Sequence, residues 1–244
     1  VHYFIWNGID SRTMGLMVGQ LPSLQRAEER VEQVTIPGKP GAVTFIEGDY
    51  IYEAVRKDCK VYAKNEDDYR KCFKWLQGSG KVIFSNEPDR VYTGRISSAV
   101  VFQRYDNSLR TATISFICEP YKGQWPPESG ISIANGATKR IVNPGDIPSK
   151  PIIHMPAVDA TAGTAVISID GNIYNFFHDA DGGADNNGFS LDSETGILNT
   201  PSGYNSTIFV PQVLGLPTLP VGASSIEVSC FTSGIVIEPM CMWV

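Results

Sequence analysis

The chain has no run of 18 or more apolar residues, so no helix long enough to cross a bilayer is expected. Its opening residues, VHYFIWNGIDS, lack a basic region followed by a long apolar stretch, and no signal peptide is expected there. The five cysteines, Cys59, Cys72, Cys118, Cys230 and Cys241, are odd in number and scattered, with no CxxC pair and no Cys/His cluster at zinc spacing. They read as free, mostly buried thiols from a reducing cytoplasm. HExxH, GxSxG and GxGxxG are all missing. GSGK at 78–81 has the flavour of a phosphate loop, but it lacks the upstream glycine spacing and the following Ser/Thr, and it trails a helix pattern instead of leading into one. A net charge of −6 leaves no basic excess for nonspecific nucleic-acid binding.

Candidates for carrying chemistry are few. The histidines are His2, His154 and His178. His154 sits mid-strand between Ile153 and Met155, where a structural role is expected, and His178 falls at a loop edge. HDADGGADNNG, residues 178–188, offers Asp179, Asp181 and Asp185 to a calcium ion. The EF-hand pattern fails there, because Gly183, Ala184 and Ser190 occupy its fifth, sixth and twelfth positions. A polar turn is the better reading. Tyr174, Phe176, Phe177 and Tyr204 are candidates for a sugar platform, but Phe176 and Phe177 are adjacent in a strand and must point to opposite faces. Asp192 and Glu194, the carboxylates available for a hydrolase, share one turn-like DSE. No catalytic residue, metal site or cofactor is expected.

What the chain does have is a composition break. Residues 1–122 carry 17 Lys/Arg and 15 Asp/Glu, whereas residues 123–244 carry 3 and 11, a net of +2 against −8. In the first half NEDDYRKCFKWLQG reads as a helix near 66–77. Asn65 is its N-cap, Glu66, Asp67 and Asp68 lie at the positive end of the dipole, and Gly78 follows the last turn. Tyr69, Cys72, Phe73 and Leu76 make its apolar stripe. Around it the pattern is strand. LRTATISFICE puts Ala112, Ile114, Phe116 and Cys118 on one face, and VYTGRISSAVVFQRY extends until a turn at Asp106 and Asn107. ERVEQVTIPGKPGAVTFIEG reads as a long hairpin about Pro37, Gly38, Lys39, Pro40 and Gly41.

The second half shows no helical period. Short runs such as PIIHMPAV, GTAVISIDG, NIYNFFHD and SSIEVSCF, broken by Gly, Asn, Asp and Pro, favour an antiparallel β-sandwich. Asp170-Gly171 is a two-residue hairpin signal. The proline-rich stretch NPGDIPSKP is not the better boundary, because dividing there would strand ISIANGATKRIVN without a sheet to join. The charge break and Pro126-Pro127 mark the division instead. The expected organisation is a mainly β chain: an α+β domain over 1–123 with one helix, a linker at 124–130, and a β-sandwich over 131–244.

Several stretches in order resemble phage distal tail proteins of long, noncontractile-tailed phages and prophages of Gram-positive bacteria. They are FIWNGIDSRTMGLMV, VTIPGKPGAV, WLQGSGKVIFSNEPDRVYTGRIS and TISFICEPY, then IVNPGDIPSKPIIHM, SLDSETGILN, LPVGASSIEVSC and VIEPMCMWV. The resemblance implies a first domain like tail-tube subunits and a second like galectins or carbohydrate-binding modules. It implies a structural protein of the virion tail, assembled in the bacterial host cytoplasm, not an enzyme and not a membrane protein. Six copies would form a ring between the tail tube and the tail tip or baseplate, with DNA passing through the channel only in transit. Partners would be further copies of the chain, the tail tube protein, the tail-tip or tail-associated protein and, in some relatives, receptor-binding proteins. Lys39 stands where relatives often carry Arg, and the second half has no long insertion that would form an arm for a receptor-binding protein.

An extended hairpin with free edges suits pairing between subunits, and a ring of head-to-tail contacts needs two different complementary patches. Ile36, Pro37, Gly38, Lys39, Pro40 and Gly41 are therefore the candidate oligomer interface. The competing expectation is a lectin-like module that grips host cell-surface polysaccharide through the second half.

Overall fold

The strand patterns that alternate most cleanly in the sequence also form the backbone of the sheets. A computed structural model describes residues 1–244 apart from 47, 65, 98, 107–108, 159–160, 179–187, 200–206 and 212–214. The chain forms two compact units, Val1–Pro126 (with Val244) and Pro127–Trp243. The fold is mainly β, with one helix among the described residues.

The first unit contains β1 (Phe4–Trp6), β2 (Ile9–Asp10), β3 (Leu16–Gln20), β4 (Val31–Thr35), β5 (Ala42–Ile46), β6 (Val55–Ala63), α1 (Glu66–Trp75), β7 (Ser79–Phe84), β8 (Arg90–Ile96), β9 (Gln103–Arg104) and β10 (Arg110–Gln124). Its main sheet runs β2-β1-β7-β8-β10-β6-β3, with β9 also on β10, while β4 and β5 pair only with each other. Along β10, Ala112, Ile114, Phe116 and Cys118 are buried as the alternation predicts. Their partners across β6 repeat the alternation, with Val61, Cys59, Lys57 and Val55 all buried. Phe116 lies edge-on to Phe4 and Phe84 at ring distances of 5.6 and 5.7 Å, and each fully buried aromatic adds about 1.5–3 kcal/mol by leaving water.

The helix departs from its expected stripe. Cys72 and Leu76 are buried and Tyr69 is half-buried, but Phe73 is 45% exposed. Trp75 packs inward instead, stacked 5.6 Å from Phe4, and its indole N–H donates to the Trp6 carbonyl at 3.2 Å. The larger ring with a polar handle secures the helix to β1. The expected N-cap, Asn65, lies outside the described residues. The long strand expected over VYTGRISSAVVFQRY is divided: β8 ends at Ile96, and two residues of β9 resume pairing at Gln103. Between them Val100 and Phe102 pack into the core, which continuous pairing would prevent. Asn107, half of the expected turn, is outside the described residues.

The second unit contains β11 (Ile131–Ile133), β12 (Thr138–Asn143), β13 (Ile152–Met155), β14 (Thr164–Ile169), β15 (Asn172–His178), β16 (Phe189–Asp192), β17 (Leu198–Asn199), β18 (Thr207–Pro211), β19 (Gly222–Ser229) and β20 (Ile235–Glu238). They make two five-stranded sheets, β11-β20-β13-β16-β17 and β12-β19-β14-β15-β18. Inward residues of both, among them Ile153, Leu191 and Ile237 from the first and Ile167, Phe176 and Val228 from the second, share one core. Asp170 and Gly171 turn β14 into β15 with φ of 49° and 84°. The Asp170 carboxylate accepts the Ser225 N–H at 2.7 Å, tying that turn to β19. The stretch after β12 is organised by buried Asn143, whose amide donates to the carbonyls of Ile147 and Leu219 at 3.0 and 3.1 Å.

Candidate assembly surface

β3 and β6 are hydrogen-bonded neighbours, so the residues between them, 21–54, leave the sheet and return to it on the same side. The outgoing strand is fastened at its start. Asn86 donates its amide to the Pro22 carbonyl at 2.9 Å, Lys57 its ammonium to the Ser23 carbonyl at 3.0 Å, and Gln25 its amide to the Arg56 carbonyl at 3.3 Å. Further out the two runs meet. The Glu53 N–H donates to the Glu28 carbonyl at 2.8 Å and the Arg30 N–H to the Ile51 carbonyl at 3.0 Å. Tyr52 is buried edge-on against Tyr121, whose hydroxyl donates to the Tyr50 carbonyl.

Beyond that root the ribbon stands without a packed face. Its register pairs Glu32 with Phe45 and Val34 with Val43 on one face, and Val31 with Ile46, Gln33 with Thr44 and Thr35 with Ala42 on the other. Val43 is half-buried and the other nine residues are exposed, Phe45 to 54% and Ile46 to 62%. An isolated two-stranded ribbon is at best marginally stable in water, because its side chains gain almost no burial. Here both outer edges also keep unpaired backbone groups.

The tip holds the predicted interface residues. Ile36 accepts the Lys39 N–H at 3.1 Å, closing a turn in which Pro37 presets its own φ and Gly38 sits at +82°. Gly41 follows at +80°, and neither glycine has an atom within 4 Å of where a Cβ would sit. Ile36, Pro37, Gly38, Lys39, Pro40 and Gly41 are all exposed.

Beneath the root lies a network the sequence reading missed. Lys57 is 1% exposed, with its ammonium 5.1 Å from the Tyr92 ring centre. Lys122 stands 5.8 Å from the same ring and 3.0 Å from Glu87, which also accepts the Tyr92 hydroxyl. Burial lowers the Lys57 pKa. Burial alone would raise Glu87, but the Tyr92 hydroxyl and Lys122 together outweigh it and hold the carboxyl below its ordinary range. The alternation of VRKDCKVYA, which places Lys57 in phase with Val55, Cys59 and Val61, was the available signal.

Other candidates separate. All five cysteines are free and only Cys230 is exposed. Burial pushes Cys59 and Cys118 up to about 12 and Cys72 and Cys241 up to about 11, so these four stay protonated and poorly nucleophilic at neutral pH. In GSGK, Gly78 precedes β7 and Ser79, Gly80 and Lys81 are its first residues, so the motif opens a strand, not a helix. His2 is exposed, His154 pairs with Glu238 at 3.1 Å on an outer face, and His178 ends β15. Asp179, Asp181, Gly183, Ala184, Asp185 and Tyr204 lie outside the described residues. Among the described residues no three His, Cys, Asp or Glu side chains gather as a metal site. Of the aromatic candidates, Tyr174 and Phe176 are core residues and Phe177 is half-buried. The Asp192 carboxylate accepts the N–H groups of Glu194 and Thr195 at 2.8 and 3.4 Å, which hold it below its ordinary range. Glu194 faces Lys150 at 3.7 Å across a cavity of about 380 Å³ that Asn172, Tyr174, Leu216 and Thr218 also line.

Residues 15–118, most of the first unit, match the family model of the phage tail protein RIFT-related domain. The chain carries a phage tail domain. Over its length it also has the fold of the SPP1 Dit (gp 19.1) protein, described as a paradigm of the hub adsorption apparatus in phages infecting Gram-positive bacteria. That likeness has a TM-score of 0.68 at 17% identity and covers 97% of this chain and 98% of that one. No curated protein matches the chain. The resemblance to phage distal tail proteins agrees with both findings, the domain match over residues 15–118 and the fold over the chain. No helix among the described residues is long and apolar enough to cross a membrane.

Proposed function

We propose that this tail protein assembles as a ring of six copies between the tail tube and the tail tip or baseplate, with a channel through which DNA passes. The observation that carries the reading is the ribbon of β4 and β5, with apolar side chains on both faces and no packing partner among the described residues of its own unit. A second copy supplies the missing cover, and head-to-tail docking of a ribbon on a neighbour is the heterologous contact from which rings close. Ile36, Pro37, Gly38, Lys39, Pro40 and Gly41 meet that neighbour. The first unit, through about residue 123, is the assembly module. The segment 124–130 links it to a sandwich facing other tail components. The role is architectural, with the tail tube and tail-tip proteins as neighbours. The description of the SPP1 Dit protein as a hub supports the same place in the tail.

Light scattering across a concentration series tests the ring. Six chains of 26.7 kDa give about 160 kDa, and replacing residues 31–46 by a short Gly-Ser turn should return the mass to that of one chain. A full-length chain that remains at 26.7 kDa at every concentration sinks the self-assembling ring.

A further inference from the structure

The cavity in the second unit is built by both sheets. Asn172 and Tyr174 come from β15 in one sheet, and Glu194 follows β16 in the other. Lys150 and Thr218 flank the bridge between Ser149 and Leu219. At about 380 Å³ it falls toward the lower end of the range for small-molecule pockets.

The lining chemistry is mixed. Lys150 offers donors only, Glu194 acceptors only, and Asn172 and Thr218 both, beside the apolar surface of Leu216. Lys150 and Glu194 stand 3.7 Å apart, so the two charges largely cancel. The half of the chain around them, residues 123–244, has 3 basic against 11 acidic residues, a field that disfavours an anion. A cation would compete with Lys150 for the carboxylate. What remains is an uncharged ligand that both donates and accepts many hydrogen bonds and has one apolar face.

Two further features support a built site. Ser193 lines the cavity, is 1% exposed, and its hydroxyl has no hydrogen-bond partner among the described residues. Buried hydroxyls are ordinarily paired, so the cavity wall keeps an unused donor and acceptor. The loop carrying Ser193 and Glu194 is also fixed before any ligand arrives. Besides the two bonds to the Asp192 carboxylate, the Gly196 N–H donates to the Asp192 carbonyl at 2.8 Å and the Asp192 N–H to the Ile197 carbonyl at 3.0 Å. Little ordering cost is left for binding.

We propose that this cavity binds a neutral pyranose. Its ring hydroxyls meet Lys150, Asn172, Glu194 and Thr218, and its C–H face rests on half-buried Leu216. The inference goes beyond the ring and does not depend on it.

Isothermal titration calorimetry of the full chain tests it, using D-glucose, D-galactose and N-acetyl-D-glucosamine, with D-glucuronate as the charged comparison. At least one neutral sugar should give saturable heat, and glucuronate should bind about tenfold more weakly or worse. Asn172→Ala and Glu194→Gln should each weaken binding about tenfold or more, with the melting temperature unchanged because both side chains are exposed. Three results overturn the proposal: no saturable heat from any of the three sugars up to about 50 mM, glucuronate binding as tightly as the best of them, or both variants binding like the parent chain. Light scattering on the same samples keeps the readings apart. Rings without sugar binding end this proposal alone, and sugar binding by single chains ends only the ring.

Discussion

Two hairpins in this chain are built from much the same residues and end in opposite surroundings. VEQVT and AVTFI form β4 and β5, and TAVISI and NIYNFFH form β14 and β15. Both are rich in β-branched and aromatic residues, and both close through tight turns with positive-φ residues, at Gly38 in one and at Asp170 and Gly171 in the other. In the second hairpin Ala165, Ile167, Ile169, Tyr174 and Phe176 are buried, because β19 and β18 flank it and the opposite sheet covers it. In the first, no third strand or opposing sheet among the described residues joins β4 and β5, and Phe45 and Ile46 are exposed. Strand propensity makes both hairpins; only tertiary neighbours decide which apolar face is stabilised.

That contrast can be broken by measurement. Ile167→Ala should cost about 2–5 kcal/mol in urea unfolding, the full price of a core cavity. A loss under 1 kcal/mol would mean the second hairpin is not packed as described. Next in size is Glu87→Gln, which leaves Lys57 and Lys122 beside Tyr92 without their anion and should cost about 2–3 kcal/mol. The same carboxylate predicts acid sensitivity. Its folded pKa is depressed, so its contribution is complete above the unfolded value of about 4.3 and is lost as pH falls through the lower folded value. In Glu87→Gln that part of the acid slope should vanish, and an unchanged slope would assign it elsewhere. Asp170→Ala removes the acceptor of the Ser225 N–H and forces alanine to φ 49°, at about 1–2 kcal/mol by thermal melting. Smallest in stability, and sharpest for the comparison, is Phe45→Ser with Ile46→Ser. The fold should shift by no more than about 0.5 kcal/mol while the mass by light scattering falls toward a single chain. If those two substitutions cost as much as Ile167→Ala, the ribbon is packed within its own chain and the contrast collapses.

Local chemistry was legible where one stretch of chain decides the outcome. The alternation of LRTATISFICE, the Pro37-Gly38 turn, the Asp170-Gly171 hairpin and the helix in NEDDYRKCFKWLQG each depend on neighbours in sequence, and each is present. Asn7-Gly8 is an equally readable turn signal, adopting φ of 50° and 80° between β1 and β2. Choices between faces were harder. Phe73 stays 45% exposed beside Tyr69 and Phe102, while Trp75 stacks on Phe4, a choice the apolar stripe alone does not make. The cavity was illegible because Lys150, Asn172, Glu194 and Thr218 come from four separate places, and only folding brings them together. The exposure of the ribbon was equally hidden, since a strand sequence does not say what will lie against it.

The ribbon's attachment has a consequence for how such proteins diverge. It departs after β3 and returns at β6, two strands already joined to each other, so the sheet closes whether the excursion is long or short. Residues 31–46 therefore behave as an exchangeable cassette. A residue pair added to each strand would extend its reach by about 7 Å, and neither Phe116 nor any other core side chain would need to move. Selection can change the length of the ribbon without renegotiating the fold.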